Sequence, residues 1–143
     1  MISELQKGKD LMNNEQYELA ISILDNLKNL PSKYENLRLL FLSNCLYNIE
    51  DYYLAIEIAN KLLQIDNKNE YASQIKYLSY YELKKYDEAL NEVISFLSNN
   101  EADLYRVTLE ELLIDIKKGF INKKDTIHRI RELALRNNIN LND

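Results

Sequence analysis

Apolar residues recur every three or four positions along most of this chain, the interval of one face of an α-helix rather than the alternation of a strand. One such stretch carries Ala20, Ile23, Leu24, Leu27 and Leu30. A second carries Ala55, Ile58, Ala59, Leu62 and Leu63, and a third Ala89, Leu90, Val93, Ile94 and Leu97. Upstream lies another helical pattern, as in Leu37, Leu40 and Phe41 followed by Asn44 to Tyr47. Each unit therefore reads as helix, tight turn, helix. Beyond residue 102 the pattern predicts two more helices. The first runs from Asp103 to Lys118, with Leu104, Val107, Leu112, Leu113 and Ile116 on its apolar face, and stops at Lys118-Gly119 in a left-handed turn. The second starts behind Asn122 as N-cap, with Asp125 three residues on. It buries Ile127, Ile130, Leu133 and Ala134 and runs to about Asn138, for about eight helices in all.

The units repeat. Tyr17, Tyr52 and Tyr86 are 35 and 34 residues apart, and Ala20, Ala55 and Ala89 follow at the same intervals. An alanine just past the turn lets the two helices approach closely, where a larger side chain would force them apart. A tyrosine at the turn fills the wedge between them and keeps its hydroxyl within reach of water. One hairpin cannot bury its own apolar face, so neighbours must stack. The expected product is an all-α, right-handed α-solenoid of antiparallel hairpins with a concave inner wall. Units 1–34, 35–68 and 69–101 form the repeats, residues 102–138 a terminal helix pair and 139–143 a short tail, all in a single domain. Phe120 lies 34 residues after Tyr86, so the terminal pair reads either as a degenerate fourth repeat with a lengthened turn or as a cap.

Gly8, Leu11, Tyr17, Ala20, Leu24, Leu27 and Pro31 resemble the tetratricopeptide repeat family, whose unit is a 34-residue helical hairpin. Leu42, Ser43, Leu46, Tyr52, Ala55, Ala59 and Leu62 carry the likeness in the second unit, and Tyr80, Tyr86, Ala89, Val93 and Phe96 in the third. The third unit departs where Tyr77 replaces a small residue. The resemblance implies that peptides or helices of a partner protein bind a groove lined by the first helices. Its groove positions fall on Ile2, Leu5, Lys9, Met12 and Asn13; on Leu37, Leu40, Asn44, Tyr47 and Asn48; and on Tyr71, Gln74, Leu78, Tyr81 and Glu82. The subclass that grips a C-terminal carboxylate with Lys, Asn and Arg is not matched, since Leu5, Phe41, Tyr71 and Ile75 stand in those places. What remains is an amphipathic groove of Tyr, Leu, Met and Asn.

Composition changes this picture little. Two glycines and one proline in 143 residues disfavour sandwiches and flexible linkers. The lone Cys45 precludes an internal disulfide, reads as an inert buried thiol, and suits a reducing compartment. With no apolar leader or spanning stretch, the expected location is the cytoplasm, away from membranes. His128 sits among charges without metal-ligand spacing, and neither a phosphate loop nor a nucleophile motif is present. The expectation is a non-enzymatic chain with no cofactor and no metal.

The net charge of −5 is uneven: residues 69–102 carry 3 basic and 6 acidic groups, whereas residues 103–143 carry 8 and 7. Lys123, Lys124, Arg129, Arg131 and Arg136 read either as a solvated helix face or as a basic patch for an acidic partner. With Ile139 and Leu141 beyond the helix end, that patch suggests a weak homodimer through the C-terminal helix. Nucleic acid is disfavoured by the overall acidity. The functional expectation is an adaptor or scaffold for another protein. The alternative is a dedicated small inhibitor or escort, such as an immunity protein against a toxin or a chaperone for a secreted effector.

Overall fold

The computed structural model describes residues 2–140. Among them are eight helices and no strand: α1 Ser3–Asn13, α2 Tyr17–Asn26, α3 Ser32–Asn48, α4 Tyr52–Ile65, α5 Glu70–Glu82, α6 Tyr86–Leu97, α7 Tyr105–Lys117 and α8 Lys124–Arg136. They pair as antiparallel hairpins. The alanine rule holds at all three units, with Ala20, Ala55 and Ala89 buried where the second helix meets the first. Gly8 serves the same close approach in α1, since a Cβ there would sit 2.7 Å from Leu24 Cδ2.

Each hairpin turns through one recurring device. Glu15, Glu50, Lys84 and Gly119 take positive φ of 62°, 67°, 61° and 81° directly after the first helix's C-cap. The following residue then donates its N–H back across the last turn: Gln16 to the Leu11 carbonyl, Asp51 to Leu46, Lys85 to Tyr80 and Phe120 to Asp115. This closure satisfies carbonyls that a helix end leaves without partners. Three of the four positions are not glycine, so the left-handed turn is held by its hydrogen bonds and by the packing around it.

Successive first helices α1, α3 and α5 also pack directly on one another, whereas α2, α4 and α6 do not pack comparably. That asymmetry curves the stack, with α1, α3 and α5 on the inside. The buried side chains fall into two clusters that divide within α5, Ile75 belonging to the first and Tyr77 to the second.

The terminal pair joins by different means. Its first helix begins where the Glu70 carboxylate accepts the backbone N–H groups of Asp103, Leu104 and Tyr105 at 2.9, 2.9 and 3.0 Å. The fully buried Tyr105 meets the Tyr77 ring edge-on at 6.1 Å and lies 5.8 Å from Phe96. Its hydroxyl shares a 2.8 Å hydrogen bond with Ser73 Oγ, which donates to Glu92 Oε2; Glu92 Oε1 is paired with Lys76 Nζ at 2.6 Å. Asn137 closes the far end, accepting the Ala102 N–H on Oδ1 and the Arg106 guanidinium on its carbonyl.

Several sequence expectations are corrected here. α2 ends at Asn26 rather than reaching Leu30, because Leu27 is already extended ahead of Pro31. Val107 is 61% exposed; anchoring Tyr105 rotates the buried face of α7 onto Thr108, Leu109, Leu112 and Ile116. The N-cap of α8 is Lys123, not Asn122, and no side chain caps that end. Gly119 aligns with Lys84 through the shared turn, so Ile121 rather than Phe120 corresponds to Tyr86; Ile121 packs on the second core and Phe120 stays exposed. Ile139 is buried in the chain's own second core and does not face outward for a second copy, while Leu141 lies outside the described residues.

Candidate functional site

The inner face is built from α1, α3 and α5, and most of the expected groove residues reach it. Leu5 does not, being fully buried in the first core beside Ala20 and Leu24. Lys9 lies with Nζ 5.9 Å from the Phe41 ring centre, bridging α1 and α3. Met12 is half-buried and its sulfur accepts a hydrogen bond from Asn44 Nδ2 at 3.1 Å, while Asn13 is exposed. Leu40, Gln74 and Leu78 are half-buried. Asn48, one turn beyond Asn44, donates Nδ2 to the Asn44 carbonyl at 2.8 Å and keeps its side chain exposed. The two amides thus share one face of α3, as their spacing of four requires.

The tyrosines form pairs that the repeat reading did not name. Tyr47 of α3 packs on Tyr52, the first residue of α4, with ring centres 5.6 Å apart. Tyr81 of α5 repeats the arrangement with Tyr86 at 5.2 Å, edge to face, and touches Tyr77 at 6.2 Å. The turn tyrosines were expected to fill wedges; Tyr86 instead stays half exposed and extends the inner tyrosine outward. The legible signal was the interval of five residues between Tyr47 and Tyr52 and between Tyr81 and Tyr86, which carries one helix end across a tight turn. Tyr47 holds its proton above the usual tyrosine range, first because it is partly buried and then because Glu82 of the next hairpin and Tyr52 lie near. Tyr71 is 59% exposed at the start of α5.

The basic residues do not form one patch. Lys124 and Arg131 flank the buried face of α8 on one side, together with the 70% exposed Leu135. Arg129 and Arg136 lie on the other side, interleaved with Asp125 and Glu132. Lys123 is drawn off to Asp87, with Nζ 3.4 Å from Oδ1. Cys45 is buried and its thiol is pushed up to about 11 by that burial, which leaves little thiolate for chemistry near neutral pH. His128 is exposed and lies 3.8 Å from Glu132. Among the described residues, no group of His, Cys, Asp and Glu could hold a metal ion, and no helix is long and apolar enough to cross a membrane.

The family model described as anaphase-promoting complex, cyclosome, subunit 3 matches residues 8–96, more than half of the chain. The chain belongs to that family of tetratricopeptide-like repeats. No curated protein matches it, and no solved structure does. Repeats of this family are modules of protein–protein interaction and are generally non-enzymatic. The match runs from Gly8 within α1 to Phe96 in α6 and stops short of α7 and α8.

Proposed function

We propose that this chain is a non-enzymatic adaptor that holds a peptide or helix of another protein against the inner face of α1, α3 and α5. The observation that carries this reading is the conjunction on that face of the Asn44–Asn48 amide pair and the Tyr47 and Tyr81 rings. An exposed amide can both donate to and accept from a peptide backbone, while tyrosine offers rigid contact area at small entropic cost. The family's description, a subunit of a multi-protein complex, supports a role in holding proteins together. The reading places the chain in the cytoplasm, with a protein as its partner and neither nucleic acid nor membrane required.

Affinity purification followed by mass spectrometry identifies the partner, and two variants then test the face. Asn48→Ala and Tyr71→Ala change exposed side chains, so both melt within a degree or two of wild type. Each weakens the partner by about 1–2 kcal/mol. A partner that binds both variants as tightly as wild type refutes the inner-face mechanism.

A further inference from the structure

A cavity of about 400 Å³ opens between the start of α6 and the α7–α8 turn, outside the row of amides just described. One wall is the contiguous run of Tyr77, Tyr81 and Tyr86; the opposite side is the lengthened turn, from which Phe120 projects at 74% exposure. Two carboxylates, Asp87 and Asp115, line the same space. A contiguous run of three tyrosine rings beside two carboxylates suits a cation, because an aromatic face attracts positive charge and the carboxylates supply net negative charge. Among the described residues lining the cavity the one basic group, Lys123, is held loosely, since it and Asp87 are each 70% exposed across their 3.4 Å pair. An ion pair so exposed is worth little and yields readily to a competitor.

We propose that this cavity is a pocket for an arginine side chain of the partner. Arginine fits better than lysine because a planar guanidinium stacks on tyrosine while its fork of N–H donors reaches a carboxylate. The charge agrees: residues 69–102, which supply the tyrosine wall, are the most acidic stretch of the chain. The Tyr77 hydroxyl reports the same field, being pushed up to about 12 first by burial and then by Tyr81, Glu111 and Asp115. The exposed Phe120 gains an occupant to cover it. This inference rests on the adaptor reading and names the chemistry at one end of the binding surface.

The test uses the full chain, labelled with ¹⁵N, and two probes: acetyl-arginine methylamide and its neutral near-isostere acetyl-citrulline methylamide. The arginine probe is expected to shift amides of residues 81–90 and 115–123 and to saturate at millimolar concentration. The citrulline probe is expected to bind at least fivefold more weakly. Asp115→Asn should weaken the arginine probe at least fivefold; the Asp115 backbone carbonyl, which takes the Phe120 N–H, is unchanged. Should that variant fail to fold, Asp87→Asn at the exposed rim gives the same readout. Equal binding of the two probes, or shifts elsewhere on the chain, overturns the proposal. Asn48→Ala and Tyr71→Ala must leave the probe unaffected. A partner that is weakened by those two variants but not by Asp115→Asn overturns the arginine pocket and leaves the adaptor reading standing. A partner weakened by Asp115→Asn alone supports the pocket and refutes the inner-face mechanism.

Discussion

Glu70 is the residue on which the terminal helix pair most depends. It is the first residue of α5, yet its carboxylate receives three backbone N–H groups at the start of α7, some 33 to 35 positions later. Replacing it with alanine removes those three acceptor contacts from the start of α7. A lost N-cap acceptor costs about 0.5–2 kcal/mol. Here the acceptor is charged and serves two partly buried donors, at Leu104 and Tyr105, so the upper half of that range or slightly more applies, about 2–3 kcal/mol. For a chain of this size that lowers the melting temperature by about 5–10 °C. Glu70→Gln keeps one acceptor oxygen without the charge and should lose about half as much. Urea denaturation gives the free energy, and amide exchange gives the location: protection should fall first across α7 and α8 and leave α1–α4 unchanged. An alanine variant as stable as wild type, or exchange that rises evenly over all eight helices, refutes the assignment of Glu70 as the joint.

Two further outcomes follow from the core and from one ion pair. Ala55→Leu places three extra carbons where α4 meets α3 at a fully buried site, and should cost about 1–3 kcal/mol in urea denaturation; a neutral result refutes the close approach. Arg38 donates from Nε and from a terminal nitrogen to Glu35 at 2.7 and 3.0 Å, and that bond holds the Glu35 carboxyl below its ordinary range against the opposing effect of burial. A lowered folded pKa means that the stabilisation is complete above the unfolded value near 4.5 and disappears as pH falls through the lowered one. With Glu35 a third exposed, the pair is worth about 0.5 kcal/mol. The stability difference between wild type and Glu35→Gln should therefore be flat from pH 6 to 8 and vanish at strongly acid pH; a difference that grows on acidification contradicts the sign.

The stack was legible in the sequence because its chemistry is periodic. Tyr-x-x-Ala in phase three times fixes where each turn falls and which side chain the neighbouring helix touches, and the buried Ala20, Ala55 and Ala89 follow from that. The turn itself was hidden, since Glu15, Glu50 and Lys84 adopt left-handed backbone with no glycine to announce it. The joint to α7 and α8 was hidden for another reason: Glu70, Ser73, Tyr105 and Asn137 act across 31 to 35 residues through polar contacts that no local pattern encodes. Asn137 is one such residue, accepting from Ala102 and Arg106 with no local pattern to mark it. Groove positions carried over from the repeat pattern fall on α1, α3 and α5, but Leu5 is closed to a partner by its burial. Leu5 instead joins Ala20 and Leu24 in the first core.

Tyr77 connects these observations. At the positions equivalent to it, Gly8 and Ser43 are small, and the second helix of the hairpin closes over them. A tyrosine there cannot be covered the same way, and its ring instead meets Tyr105 edge-on and Tyr81 beside it. The core consequently divides within α5, from the packing of the first two hairpins to an aromatic and hydrogen-bonded joint whose α7 and α8 part lies beyond the family match. The same ring forms part of the wall of the cavity that Phe120, Asp87 and Asp115 complete. One departure from the repeat thus both seats the terminal pair and opens a pocket beside it. Tyr77 and the lengthened α7–α8 turn both depart from a regular array, which would carry a small residue at position 77 of the third repeat and a tight α7–α8 turn after it. The proposed arginine pocket thereby adds one contact at the irregular end of the stack, where side chains depart from the family pattern, to those proposed along its regular inner wall.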